Sequence, residues 1–272
     1  MKNPRGVYLS RNGQKRKVQT ELFKYCKRKN NYVFDNDTVK DFCRKIGFAN
    51  PFEVTKVDSS NLLPDILKKE DYFILHLGKG RHKFVKGINK GYHSFEEVSD
   101  KNIINWKYKA SLLNEYDTSE SNFLSVAFNQ RISHHFLYGD ENKEAKVYQS
   151  RRTKESVSYN VGREKIVTSS VQMEIDQTFE RKGVVTVIEG KNEYLDNFAI
   201  YQIFVPLVYF HTLKKEKGLA IKDVNCCYVL KKKKKKTDNR SFLRFYLYSF
   251  EDPNDMTTIK LVRSAEYRLT KT

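Results

Sequence analysis

The sequence predicts a mixed α/β (or α+β) protein, with a central mixed sheet flanked by helices. Three observations predict it. Residues 171–176 alternate apolar and polar side chains, and residues 184–191 are a short β-branched run ending Ile188-Glu189-Gly190-Lys191; these periods suit a half-buried and a buried strand. Residues 197–210 are almost wholly apolar and long enough for a buried helix on that sheet, kinked or divided at Pro206. Residues 15–29 and 35–46 place apolar side chains at helical spacing.

Both strands end in charge. Asp176 closes the first; Glu189 and Lys191 close the second, two residues apart and therefore on one face. If the two strands pair as a hairpin-like unit, these ends converge. Two carboxylates and a lysine on one side of a sheet suit metal-assisted phosphodiester hydrolysis. Carboxylates hold Mg2+, which prefers oxygen ligands. The lysine handles the attacking water or the developing charge. Glu174 lies two residues before Asp176 on the same face and is an alternative acid.

Asp176, twelve intervening residues, then Glu189-Gly190-Lys191 resembles the signature of the PD-(D/E)XK nuclease superfamily. The proline of the motif is replaced by Ile175. Gln202 falls near the start of the following helix, where some members carry a Gln, although the next tyrosine of the segment is Tyr209. The stretch 171–206 looks most like type II restriction endonucleases. That resemblance implies a restriction-endonuclease-like core, Mg2+ as cofactor, Asp176 and Glu189 as its ligands, and Lys191 as the residue acting on water. It also implies double-stranded DNA as substrate, a homodimer, and a helix before the catalytic strands carrying an accessory acid; Glu120 is the candidate, in a helix expected over 119–132.

The net charge is +18 with 51 Lys and Arg among 272 residues, which argues for a polyanionic partner. The basic residues are spread along the chain, with no long amphipathic basic helix, so a membrane partner is not expected. No apolar run reaches a transmembrane length and no signal peptide is evident. Cys26, Cys43, Cys226 and Cys227 show no CxxC spacing and read as free thiols of a cytoplasmic protein. His76, His82 and His93 share no compact ligand pattern, so zinc is not expected.

The N-terminal part, residues 1–110, reads as a DNA-binding region; residues 111–272 read as the catalytic domain. Helix 15–29 is followed by helix 35–46, capped by Asp35 or Asn36 and ended by Gly47, and by a third helix starting near Phe52. A strand at 72–77 and the basic turn Gly78-Lys79-Gly80-Arg81-His82-Lys83 complete the outline of a winged helix-turn-helix. Lys79, Arg81 and Lys83 are candidate phosphate contacts, as are Arg151, Arg152 and Arg163 farther on. His134 and His135 read as surface or groove residues. The six lysines 231–236 form a mobile loop or a phosphate-tracking loop. The last strands, near 224–230, 242–250 and 256–261, complete the sheet.

The expected function is a site-specific Mg2+-dependent deoxyribonuclease. The rivals are a repair or recombination nuclease of the same superfamily, a non-catalytic helix-turn-helix regulator, and an RNA-processing nuclease.

Overall fold

The computed structural model of the chain describes residues 10–109, 120–232 and 241–271, the side chains of residues 120, 121 and 271 excepted. Residues 1–9, the Glu120 side chain and lysines 233–236 lie outside the described residues.

Helix α1 (Arg11–Arg28) starts earlier than residue 15 because Ser10 Oγ accepts the Gly13 N–H at 3.2 Å. Its stripe Val18, Leu22, Phe23 and Cys26 is buried. A short strand β1 (Val33–Asp35) leads to α2 (Asn36–Ile46). Asp35 Oδ1 accepts the Thr38 N–H at 2.8 Å, and Gly47 closes the helix at φ 80°. Then come α3 (Pro51–Val54), with Pro51 in its first turn, and α4 (Asp65–Glu70). The hairpin β2 (Tyr72–Gly78) and β3 (Arg81–Lys86) turns at Lys79 and Gly80, both at positive φ.

After α5 (Ile88–Gly91), β4 (Tyr92–Ser94) and β5 (Ile103–Tyr108), the expected helix 119–132 is two helices. Helix α6 (Glu120–Asn129) stops before Arg131, whose φ is 62°, and α7 (Ile132–Tyr138) restarts. This turn carries His134 inward against Phe128 and Phe179. His134 is fully buried, not a surface residue as its polar character suggested.

Strands β6 (Lys146–Tyr148), β7 (Arg151–Glu155), β8 (Ser158–Val161), β9 (Glu164–Val167) and β10 (Val171–Ile175) follow. Arg151 and Arg152 start β7. The expected hairpin of residues 171–176 with 184–191 is not formed. β10 pairs with β7, while the expected break is itself a strand, β11 (Gln177–Arg181), which pairs antiparallel with β12 (Val184–Lys191). Thr178 and Phe179 favour extended backbone. Lys182 and Gly183, at φ 51° and 83°, make the two-residue loop that matches strand twist.

The expected helix 197–210 also begins later. Asn197 Oδ1 accepts the Ser60 N–H at 2.7 Å and the Ser59 hydroxyl at 3.0 Å, holding β13 (Asn197–Ala199) extended. Helix α8 (Tyr201–Lys217) then continues through Pro206. Strands β14 (Asp223–Lys231), β15 (Ser241–Phe250) and β16 (Ile259–Lys271) finish the chain.

Two compact units result. The first takes the chain up to Ser94, then Lys154–Gln172 and Asn197–Ala199; the second takes Phe95–Thr153, Met173–Asp196 and the chain from Ile200 onward. No single cut at residue 110 divides them, because β8, β9 and β13 belong with the N-terminal helices. In the first unit the antiparallel sheet has the order β1-β3-β2. Its hairpin packs on the loop after β9: Ser169 N–H donates to the Leu77 carbonyl at 2.8 Å.

The second unit is a seven-stranded mixed sheet of order β5-β16-β15-β14-β12-β11-β6, with β12–β14 and β16–β5 parallel. Helix α8 makes the crossover between the parallel strands β12 and β14 and packs on both. One face of the sheet is dry and apolar under α6 and α7: Phe123, Leu124, Ile132 and Phe136 meet Phe179, Ile188, Cys227, Phe245 and Tyr267. The adjacent Cys226 and Cys227 point to opposite faces; Cys226 Sγ lies 3.3 Å from the Ile203 carbonyl of α8. All four cysteines are unpaired and buried. Among the described residues no helix is long and apolar enough to cross a membrane.

Candidate active site

The β11–β12 hairpin builds the site. Gln177 stands opposite Ile188, so the residue before Gln177 adjoins the residue after Ile188. Those residues are Asp176 and Glu189. The backbone confirms the approach: Gly190 N–H donates to Asp176 Oδ2 at 2.8 Å. Asp176 therefore sits at the bend between β10 and β11, and the two acids converge through β11 rather than through β10.

Along β12 the side chains alternate. Glu189 and Lys191 share one face and Gly190 takes the other, where α6 presses on it. A Cβ at Gly190 would lie 2.9 Å from Phe123 Cζ and 3.1 Å from Leu124 Cδ1. The small residue between Glu189 and Lys191 thus answers to helix packing.

On the Glu189 face, Lys191 Nζ lies 2.7 Å from Glu189 Oε1, with the side chains 18% and 10% exposed. Gln202, in the first turn of α8, donates from Nε2 to the same oxygen at 3.3 Å. Tyr228 of β14 stands in register with Glu189, and its hydroxyl donates to Gln202 Oε1 at 3.3 Å. Tyr228 is fully buried. Sequence reasoning missed it: the apolar run 224–230 marks a strand, but only the parallel register with β12 brings its tyrosine to Glu189. A small cleft is lined by Glu174, Ile175, Glu189, Gln202 and Pro206.

Burial pushes the Asp176 carboxyl above the usual carboxylate range. The Gly190 N–H and the Lys191 ammonium pull it back, and Glu174 adds to the rise. Glu174 itself is exposed and pairs with Arg152 at 2.8 Å. The guanidinium of Arg151 lies 5.0 Å from the Tyr209 ring.

Among the described residues, no three His, Cys, Asp or Glu side chains converge as a ready metal cage. The donor set on offer is Asp176 with Glu189. Two carboxylates fit Mg2+, which usually keeps several waters and takes its remaining ligands from substrate phosphate. The desolvated Asp176 fits as well, because a bound cation favours its ionised form.

The candidate phosphate contacts of the first unit are spread over its hairpins. Lys79 lies in the β2–β3 turn and Arg81 follows it, Arg163 lies in the β8–β9 turn, and Lys83 pairs with Glu164. His82 is buried, with Nδ1 3.1 Å from His76 Nδ1 and Nε2 2.9 Å from Asn36 Oδ1.

No curated protein and no solved structure matches this chain. A family described as Domain of unknown function (DUF6996) matches residues 17–84. Another, described as Domain of unknown function (DUF6997), matches residues 87–268, which is more than half of the sequence and includes Asp176, Glu189, Lys191, Gln202 and Tyr228. The chain belongs to this DUF6997 family.

Proposed function

We propose that the chain is a Mg2+-dependent endonuclease that cuts double-stranded DNA at a fixed short sequence, as a type II restriction enzyme with a PD-(D/E)XK-like core. One observation carries this reading. The β11–β12 hairpin joins Asp176 to Glu189, and Lys191 shares the Glu189 face at 2.7 Å. Helices on both faces of a mixed sheet suit that core.

In this reading Asp176 and Glu189 hold Mg2+. The cation, when bound, polarises a phosphoryl oxygen and lowers the pKa of an attacking water. Lys191 supplies a donor beside Glu189, positioned to orient the water or to offset charge growing on the phosphate. Gln202 fixes the Glu189 carboxylate, and Tyr228 fixes Gln202. Glu174 is set back by its pairing with Arg152 and serves as an outer acid. Glu120 remains the accessory acid of the helix before the catalytic strands.

The first unit contacts DNA in this reading. Its order of helix, strand, helices and hairpin, with a β1-β3-β2 sheet, suits a winged helix, with Lys79 and Arg81 at the wing in this reading. Arg163 and Lys83 extend the basic surface of this unit, and Arg151 and Arg152 are phosphate contacts of the second unit in the same proposal. A homodimer and a role in host defence belong to the same proposal.

The test is cleavage of a long mixed-sequence DNA with Mg2+, with EDTA, and with Lys191→Ala. Discrete Mg2+-dependent bands lost in the variant are expected. A smear points to a repair or recombination nuclease, and intact DNA with a retained gel shift to a binding regulator. Preferential cutting of RNA in a parallel arm transfers the activity to RNA processing.

A further inference from the structure

Four cationic side chains share one face at one end of the seven-stranded sheet. Lys191 of β12 stands in register with Leu230 of β14, Leu230 with Arg244 of β15, and Arg244 with Glu266 of β16. Phe242, two residues before Arg244, is on the same face and opposite Arg268. The Lys232 N–H donates to the Phe242 carbonyl at 3.1 Å, which continues the β14–β15 register by one pair. Lys191, Lys232, Arg244 and Arg268 thus lie along four adjacent strands.

Aromatic rings are interleaved with these charges. Lys232 Nζ lies 5.2 Å from the Phe242 ring centre, and the Arg244 guanidinium lies 4.4 Å from the ring of Tyr194. Tyr194 is three residues beyond Lys191, so the patch is continuous in sequence with the candidate active site. Glu266, which is buried, accepts from Arg244 Nε at 2.8 Å and from Arg268 Nε at 3.0 Å. One carboxylate therefore holds two guanidiniums side by side by their Nε–H groups. The arginine side chains are 33% and 42% exposed, so solvent reaches them.

We propose that Lys232, Arg244 and Arg268, with the rings of Tyr194 and Phe242, bind the sugar-phosphate backbone of a DNA strand on one side of the scissile phosphate. The position relative to the cut rests on the nuclease reading; the binding does not. Guanidiniums oriented by a carboxylate match phosphate oxygens in pairs. Cations alternating with rings suit a nucleic acid strand whose bases stack while its backbone is neutralised. Two strand spacings of about 4.8 Å place the Arg244 column about 10 Å from Lys191. That separation falls within two phosphate steps along one strand. The lysine run also begins at this corner, with Lys231 and Lys232.

The test uses the full chain, a fluorescent single strand and its duplex, without Mg2+ and over a salt series. Lys232→Gln with Arg268→Gln is expected to weaken binding several-fold and to flatten the plot of log affinity against log salt by about 1.5. Lys232→Gln alone alters an exposed side chain and its contact with the Phe242 ring, and is expected to give about half that change. Arg268→Lys is expected to keep the wild-type slope. Unchanged slopes in both Gln variants overturn the proposal, as does affinity for anionic vesicles without affinity for DNA. Cleavage by the wild-type chain is measured in parallel. Cutting with unchanged slopes removes the strand track and leaves the nuclease. Flattened slopes without cutting leave the track and remove the nuclease.

Discussion

Lys191 and Glu189 meet at 2.7 Å on one face of a single strand, with little of either side chain open to water. The same Glu189 oxygen also accepts from Gln202 at 3.3 Å. Lys191→Met is expected to lower cleavage by about 10^2- to 10^4-fold. It also removes one donor from the buried Glu189 carboxylate, at a cost of about 1–3 kcal/mol in stability. Mg2+ is expected to restore part of that loss, because the cation takes the place of the ammonium. Urea unfolding with and without Mg2+ checks this; equal midpoints for variant and wild type in EDTA would show that the pair contributes nothing.

Asp176 gives a pH signature. Burial holds its folded-state carboxyl above the ordinary value, so the folded protein keeps this proton where the unfolded chain has lost it. Stability from this group is present at low pH and is lost as pH rises from the usual aspartate range through the raised value. Asp176→Asn is expected to abolish cleavage while raising the unfolding midpoint at neutral pH. The gain shrinks towards acid. Mg2+ is expected to raise the wild-type midpoint and leave the variant unmoved.

Gly190→Ala changes no chemical group, yet its Cβ would lie 2.9 Å from the Phe123 ring. Either the Phe123 and Leu124 side chains or the strand must give, at a cost of about 1–3 kcal/mol, and any shift of the strand carries Glu189 and Lys191 with it. A drop in cleavage is expected, partly rescued by Phe123→Leu. Normal activity in Gly190→Ala would show that β12 tolerates displacement.

Tyr228→Phe removes the hydroxyl that donates to Gln202 at 3.3 Å. Loss of one such hydrogen bond costs about 0.5–1.5 kcal/mol. The turnover rate is expected to fall several-fold with KM unchanged, because Tyr228 orients Gln202 and does not reach substrate. In a double-mutant cycle with Gln202→Ala the two losses are expected not to add. Full additivity would separate the tyrosine from the site.

The first unit has its own acid limit. Burial lowers His76 to about 4 and His82 to about 3. The unfolded chain takes up these protons near pH 6.5, before the folded one does. Stability is full above that value and declines as pH falls towards 4 and then 3, by at most about 1.4 kcal/mol per pH unit for each histidine. His82→Phe is expected to flatten that decline, measured as the difference in urea midpoint between pH 7 and pH 5.

Local chemistry made much of this legible in sequence. Asp35 and Gly47 bracket α2 as their types require, and the run 184–191 is the central strand that its β-branched residues indicate. The convergence of Asp176 and Glu189 was expected for the wrong pairing, because a hairpin turn of Lys182 and Gly183 carries a weaker signal than Asn-Gly. Tyr228 was invisible for a different reason. Its meeting with Gln202 depends on a parallel register set by the whole α8 crossover, and no local pattern encodes that. His134 misled because a histidine on a short helix looks solvated until Arg131 turns the helix inward.

The three-residue strand β13 decides when the first unit is complete. It pairs with β4, Phe198 against His93, although more than a hundred residues of chain separate them. During synthesis the ribosome must deliver residue 199 before β4 has its neighbour, so the first unit is completed by sequence that lies beyond Lys191. The same dependence governs inheritance. A crossover between two related genes at residue 86, between the two matched families, would separate β4 and β13 from the N-terminal helices; exchange of a whole first unit requires three separate segments to travel together.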